Sequence, residues 1–279
     1  MTAQRQHRVN RIYVIESLPE GELRTGRELC EAVFAPRTPH NRDFSSARYE
    51  VKMKAEFLAL LGQIECDTRE AGAMPMLHID AHGARDGLGL ASGDFVPWAE
   101  MKAGITAINV ACRNHLVVVL AACQGIHLIS IIRAEERATA FAVISTATDV
   151  KAGDVAVSFP AFYEEMFRSR DGGPALRRLN DAVPGLAPRY EVVQSETMFL
   201  VAFQHYVNTY LTPEKVVQRT ERLERASRKS LILDPRQQVT RREAIATELV
   251  DGLERRFNEA RDRFFMVDLG LPPVFLTPS

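Results

Sequence analysis

The sequence predicts an α/β fold: a mostly parallel β-sheet covered by helices on both faces. Three observations carry that prediction. Apolar runs of strand length alternate with longer stretches of helical periodicity along most of the chain. Two of the runs, Pro75 to Gly83 and Leu116 to Gly125, are apolar for several residues and then end abruptly, as buried parallel strands at the rim of a sheet do. Each ends in a reactive side chain, His82 or Cys123, with a glycine beside it or one residue on. Open α/β sheets place their chemistry at these carboxyl ends.

The elements follow in order. Arg11-Ile-Tyr-Val-Ile15 is a β-branched and aromatic run closed by Ser17-Leu-Pro19-Glu-Gly21, and it predicts the first strand. Thr25 to Phe34 reads as a helix capped by Thr25, with Glu28 three residues on and Pro36 and Pro39 beyond its end. Residues 45–51 suggest a weak second strand. Met53, Phe57, Leu60, Leu61 and Ile64 have helical spacing and mark an amphipathic helix from Val51 to about Ala71.

Between the two key strands, Gly87 to Trp98 holds two short apolar segments around an Ala-Ser-Gly-Asp turn, which predicts a small hairpin. A helix from Trp98 to about Asn114 leads into the cysteine strand, and an apolar helix follows Gly125. Thr139 to Thr146 reads as a buried strand, Ala156 to Arg168 as a helix, Tyr190 to Gln194 as the last strand and Glu196 to Leu211 as a helix. Residues 213–230 and 239–265 are charged and helix-forming, broken at Pro235, and read as solvated amphipathic helices packed on the domain's edge, or as a docking arm for a partner or a second copy. The tail after Gly270 is expected to be irregular.

Bulk composition narrows the function classes. The chain has 279 residues, 46% hydrophobic and 25% charged, which suits one large domain or an α/β domain with an added helical part. A formal net charge of −1 gives no pull toward nucleic acid or anionic membrane. Cys30, Cys66, Cys112 and Cys123 lie far apart with no CxxC, the usage of reduced thiols. The first ten residues are polar and basic, unlike a signal peptide, and no apolar run approaches the roughly 20 residues of a membrane span. A soluble cytoplasmic protein is expected.

Cys123 and His82 are the candidate chemical groups. A thiol at a helix N-terminus feels the positive end of the dipole, and its thiolate is a nucleophile. The competing reading is an inert buried cysteine. Histidine supplies a base near neutral pH, and the glycine after it lets a carbonyl oxygen reach a backbone N–H. His78 and His82 have the i, i+4 spacing of helical zinc sites, but in a strand their imidazoles stand about 13 Å apart. Cys112 and His115 are a metal-like pair without partners. No GxSxG, GxGxxG or Walker loop is present.

Together, a strand ending His82-Gly83 and a strand ending Ala121-Ala-Cys123-Gln-Gly125 resemble the caspase-like peptidases, and among them the bacterial CHAT type. The caspase signature is Gln-Ala-Cys-x-Gly, with its histidine about 50 residues upstream; here the separation is 41 residues. The Gly87–Trp98 hairpin, the Thr146–Asp154 loop and the Phe159–Phe167 helix also agree. The resemblance implies a caspase-like three-layer sandwich with a six-stranded, mostly parallel sheet over residues 9–211, and a helical extension over 212–269. It implies hydrolysis of peptide bonds, with no metal or cofactor, in a protein substrate. Cys123 matches the nucleophile and His82 the catalytic histidine, and the backbone N–H groups of Gly83 and Cys123 match the oxyanion donors.

Bacterial CHAT proteins often act in defence or cell death, cutting a partner protein after an activating partner or trigger. This chain departs from the pattern at Ala121, where caspases have a glutamine that helps hold substrate. Glu16, Asp149 and Asp154 sit where relatives place pocket residues. An acidic pocket would favour a basic substrate residue, and the plainer reading is solvated loop carboxylates. Asp80 shares a strand face with His82 and would orient it or face solvent. The rival from another class is a catalytically silent caspase-like module that binds a partner.

Overall fold

A computed structural model of the chain describes residues 9–37, 44–185, 189–210, 212, 214–215, 217–218, 220–222, 240 and 252–276. The elements in chain order are β1 (Arg11–Ser17), α1 (Thr25–Leu29, continued by a π-helical turn Cys30–Phe34), β2 (Ser45–Glu50), α2 (Lys54–Ala71) and β3 (Pro75–Ala84). Then come β4 (Gly87–Gly89), β5 (Phe95–Pro97), α3 (Trp98–Ala111), β6 (Val117–Ala121), a 3-10 helix (Gly125–Ile131) and β7 (Ala142–Thr146). The rest are α4 (Ala152–Ser169), α5 (Gly172–Asp181), β8 (Tyr190–Gln194), α6 (Ser195–Tyr210) and α7 (Leu253–Phe264).

Six strands form one sheet in the order β2–β1–β3–β6–β7–β8, with every pair parallel except β7 with β8. The chain moves from β1 to one side and then, with β3 and β6, to the other. The strand order therefore reverses between β1 and β3, the point beside which open α/β sheets place their sites at the carboxyl ends. α1 packs with α4 on one face, and α2 packs with α3 on the other. The result is an α/β three-layer sandwich, as expected for the caspase-like class.

The alternation of side chains along each strand makes two cores. On one face, Ile12, Val14, Met76, Val119 and Ile144 pack with Val33, Phe34, Phe159, Phe162 and Tyr163 from the α1 stretch and α4. Their neighbours Tyr13, Ile15, Leu77, Ile79, Val118 and Leu120 face the opposite side, where Phe57, Leu61 and Ile64 of α2 and Met101 and Ile105 of α3 are also buried. Each large side chain removed from water contributes about 1.5–3 kcal/mol. The hairpin Gly87–Trp98 forms as β4 and β5 and pairs back onto the end of β3.

Local readings change in four places. Thr25 does not cap α1: Arg24 holds the cap position without a side-chain bond, and the Thr25 hydroxyl donates to Asp80 instead. The helix after Gly125 is a short 3-10 helix, not an α-helix. β7 begins at Ala142 and α4 at Ala152. α5 is an unexpected helix, started by Asp171, whose carboxylate accepts from Gly173 N–H at 2.8 Å.

The chain forms two compact units, Met1–Ile131 with Ala138–Ser195, and Ile132–Arg137 with Glu196–Ser279. All of α6 after Ser195 belongs to the second unit. Within that unit Phe199 and Phe203 of α6 pack against Phe257 of α7 at ring separations of 5.2 and 4.9 Å. Arg137 donates two hydrogen bonds to the Asp268 carboxylate at 2.8 and 2.7 Å. α7 is thus an amphipathic helix held by an aromatic core within its unit. Most of residues 213–252, including the Pro235 break, lies outside the described residues. Among the described residues no helix is long and apolar enough to cross a membrane.

Candidate active site

β3 carries His78, Asp80 and His82 on the face covered by α1 and α4, and their surroundings differ sharply. His78 is buried, with Nδ1 3.0 Å from the Tyr163 hydroxyl and its ring edge-on to Phe159 at 4.9 Å. Burial pushes its pKa down to about 3, so it is a neutral core histidine. Among the described residues no group of three or more His, Cys, Asp or Glu side chains converges as a metal site.

One row further along, Asp80 pairs with Glu16 of β1 on one side and Ala121 of β6 on the other. Asp80 accepts from the Thr25 hydroxyl and from the Gly26 N–H. Glu16 accepts from Arg27 N–H at 3.0 Å and pairs with Arg48 at 3.0 Å. Both carboxylates are buried. They satisfy the open N–H groups at the start of α1, which its own sequence leaves uncapped. Gly26 makes room: a Cβ there would lie 3.1 Å from Glu16 Oε1 and 3.3 Å from Asp80 Oδ2. Burial, with a smaller contribution from Glu16, raises the Asp80 pKa to about 7.

His82 and Cys123 lie two residues beyond Asp80 and Ala121. Asp80 and Ala121 are the last pair of the β3–β6 ladder, so His82 and Cys123 both stand at the carboxyl edge of the two central strands. The backbones meet at this point. A Cβ on Gly83 would fall 1.9 Å from the Cys123 carbonyl oxygen and 2.7 Å from its nitrogen, so only glycine fits. The amides of Gly83 and Cys123, expected as oxyanion donors, therefore belong to one junction.

The two side chains are held differently. His82 is exposed, and its Nε2 lies 3.0 and 2.9 Å from the two carboxylate oxygens of Glu22. Cys123 is partly exposed, and its sulfur accepts from Val150 N–H at 3.3 Å. That amide, in the loop before α4, faces the sulfur directly. The thiol in turn donates to the Val150 carbonyl oxygen at 3.7 Å, and the helix after Gly125, expected to bring a dipole to the sulfur, is a single short 3-10 element. The sharp turn falls on Gln124 and not on Gly125: Gln124 has φ 54°, an uncommon value for a residue with a side chain. Its N–H donates to Thr148 O at 3.2 Å and its side-chain amide to Asp149 at 3.2 Å.

The other thiols are less suited to chemistry. Burial pushes Cys30 and Cys112 up to about 11, and Cys66 lies exposed on α2, away from any histidine bond described.

The three candidate pocket carboxylates, and Asp80 with them, separate. Glu16 and Asp80 are committed to the start of α1. Asp154 pairs with Arg189 at 2.7 Å. Asp149 alone is exposed, beside Gln124 and the Cys123 junction. The sequence reading did not find Glu22, Val150 or Thr25. Glu22 lies in Pro19-Glu-Gly-Glu22, where nothing distinguishes it from Glu20, and its link to His82 spans 60 residues. No protein-family model matches the chain, and no curated protein is significantly similar to it.

Proposed function

We propose that the first unit is a cysteine hydrolase in which Cys123 is the nucleophile and His82 the base. The observation that carries this reading is the backbone junction of Gly83 with Cys123, which brings a histidine and a partly exposed thiol to one edge of the sheet. The His82 imidazole takes the Cys123 proton, and the thiolate attacks a carbonyl carbon. The Gly83 and Cys123 amides stand beside the oxygen that becomes negative. The imidazolium then protonates the leaving amine as the C–N bond breaks and a thioester forms. Water, deprotonated by His82, hydrolyses the thioester and returns the thiol.

Following the resemblance, the substrate is a peptide bond in a partner protein. The protein is a cytoplasmic cysteine endopeptidase of the CHAT type, working in a bacterial defence or cell-death system. Asp149 is the carboxylate available to meet a basic substrate residue at the junction.

A peptide-library cleavage profile with the purified protein tests this reading. Cleavage dependent on Cys123 with one preferred residue is expected. No cleavage of any library, with Cys123 unreactive, would leave the silent binding module as the better account.

A further inference from the structure

We infer that Glu22 is the positioning residue of the site: it fixes His82 with Nε2 protonated and leaves Nδ1 as the base for Cys123. This rests on the cysteine–histidine reading above. A carboxylate only accepts hydrogen bonds, so the ring nitrogen facing it carries the proton in the neutral imidazole. Both Glu22 oxygens lie within 3.0 Å of Nε2. The lone pair is then on Nδ1. When Nδ1 takes the thiol proton, the imidazolium donates from both nitrogens, and Glu22 stabilises it without itself taking a proton.

The side chains of Glu22 and His82 are 41% and 56% exposed, and an exposed pair is often adventitious. This one is built into the frame. The Ser17-to-Arg24 loop that carries Glu22 turns tightly, with Glu22 N–H donating to Pro19 O at 3.3 Å. Arg24 ties the loop back through Leu18 O at 2.9 Å and Glu50 at 3.6 Å. Immediately after it, Thr25 and Gly26 are fastened to Asp80, two residues before His82 on the same strand. Strand β3 therefore holds the base of the loop through Asp80 and meets its tip through His82. The loop also stands at the point where the strand order reverses, the usual place for a site in such sheets.

The test uses the full chain and the Glu22→Gln, Glu22→Asp and Glu22→Ala variants, with two readouts. Long-range 1H–15N spectra of 15N-histidine protein at alkaline pH report the tautomer, the His82 signal being assigned by its loss in His82→Gln. Wild type is expected to show Nε2–H, and Glu22→Ala, which removes the acceptor, a mixture of both tautomers. Wild type with Nδ1–H, or an unchanged tautomer in Glu22→Ala, overturns the inference.

The second readout is alkylation by iodoacetamide followed by peptide mass mapping. The Cys123 rate is expected to fall roughly 2- to 5-fold in Glu22→Gln and Glu22→Ala, the scale of an exposed charge pair. It recovers in part in Glu22→Asp, while the Cys66 rate and Tm stay constant. An unchanged Cys123 rate also overturns the inference. If Cys123 is unreactive in wild type, the hydrolase reading fails, and the tautomer spectra still decide the role of Glu22.

Discussion

Replacing Asp80 with asparagine separates its electrostatic cost from its hydrogen bonding. Asparagine keeps the size and an acceptor oxygen for Thr25 and Gly26, but cannot ionise. Burial, then the neighbouring Glu16, holds the Asp80 pKa up at about 7, against an ordinary value of 3.8. The His82 imidazole and the hydrogen bonds from Thr25 and Gly26 act the other way. A raised carboxyl pKa means that the folded state binds a proton the unfolded chain has already released. The resulting stability is full below pH 4 and is lost as pH rises to about 7. A difference of about 3 pKa units corresponds to about 4 kcal/mol.

The expected result is that Asp80→Asn gains about 4 kcal/mol relative to wild type between pH 3 and pH 8. Urea unfolding followed by tryptophan fluorescence measures it, because Trp98 is the single tryptophan and is buried at the start of α3 in the same unit. Taking the difference between variant and wild type at each pH cancels the groups that do not interact with Asp80, leaving Glu16 and His82 as the neighbours coupled to it. A difference that stays flat with pH, or falls as pH rises, would refute the argument that Asp80 is a desolvated carboxylate.

Two further outcomes follow from the same strand. Gly83→Ala forces a Cβ into the Cys123 backbone, which has no rotamer to escape through. It should cost at least about 1–3 kcal/mol, seen as a lower urea midpoint, and abolish Cys123 reactivity; a fully stable, reactive variant would contradict the junction. His78→Phe keeps an aromatic ring in the core without a titrating nitrogen. Because burial holds the His78 pKa down near 3, wild type should lose stability relative to this variant as pH falls below 6.5. The loss approaches about 5 kcal/mol at pH 3, and parallel acid-unfolding curves would contradict it.

The parts legible in the sequence were those set by local pattern. β3, β6 and the β4–β5 hairpin follow from apolar runs and turn residues, and His82 and Cys123 from their places at strand ends. The parts that were not legible depend on groups distant in the chain. Thr25 looks like a cap because a threonine before a helix normally turns its hydroxyl onto its own backbone; here Asp80, 55 residues away, takes that bond. Glu16 and Asp154 look like free loop carboxylates because their arginines, Arg48 and Arg189, lie 32 and 35 residues off. α5 opens with Gly172-Gly-Pro174, which reads as a loop, although Asp171 followed by an early proline is also a helix start. The Glu22 contact leaves no mark on local pattern at all.

The central claim is that His82 activates Cys123, and labelling with a cysteine-reactive peptide probe tests it most directly. Wild type should be labelled at Cys123, with the label absent in Cys123→Ala and sharply reduced in His82→Ala while both variants remain folded. Labelling at Cys66 or Cys30 with Cys123 untouched, or labelling of Cys123 indifferent to His82, would contradict it.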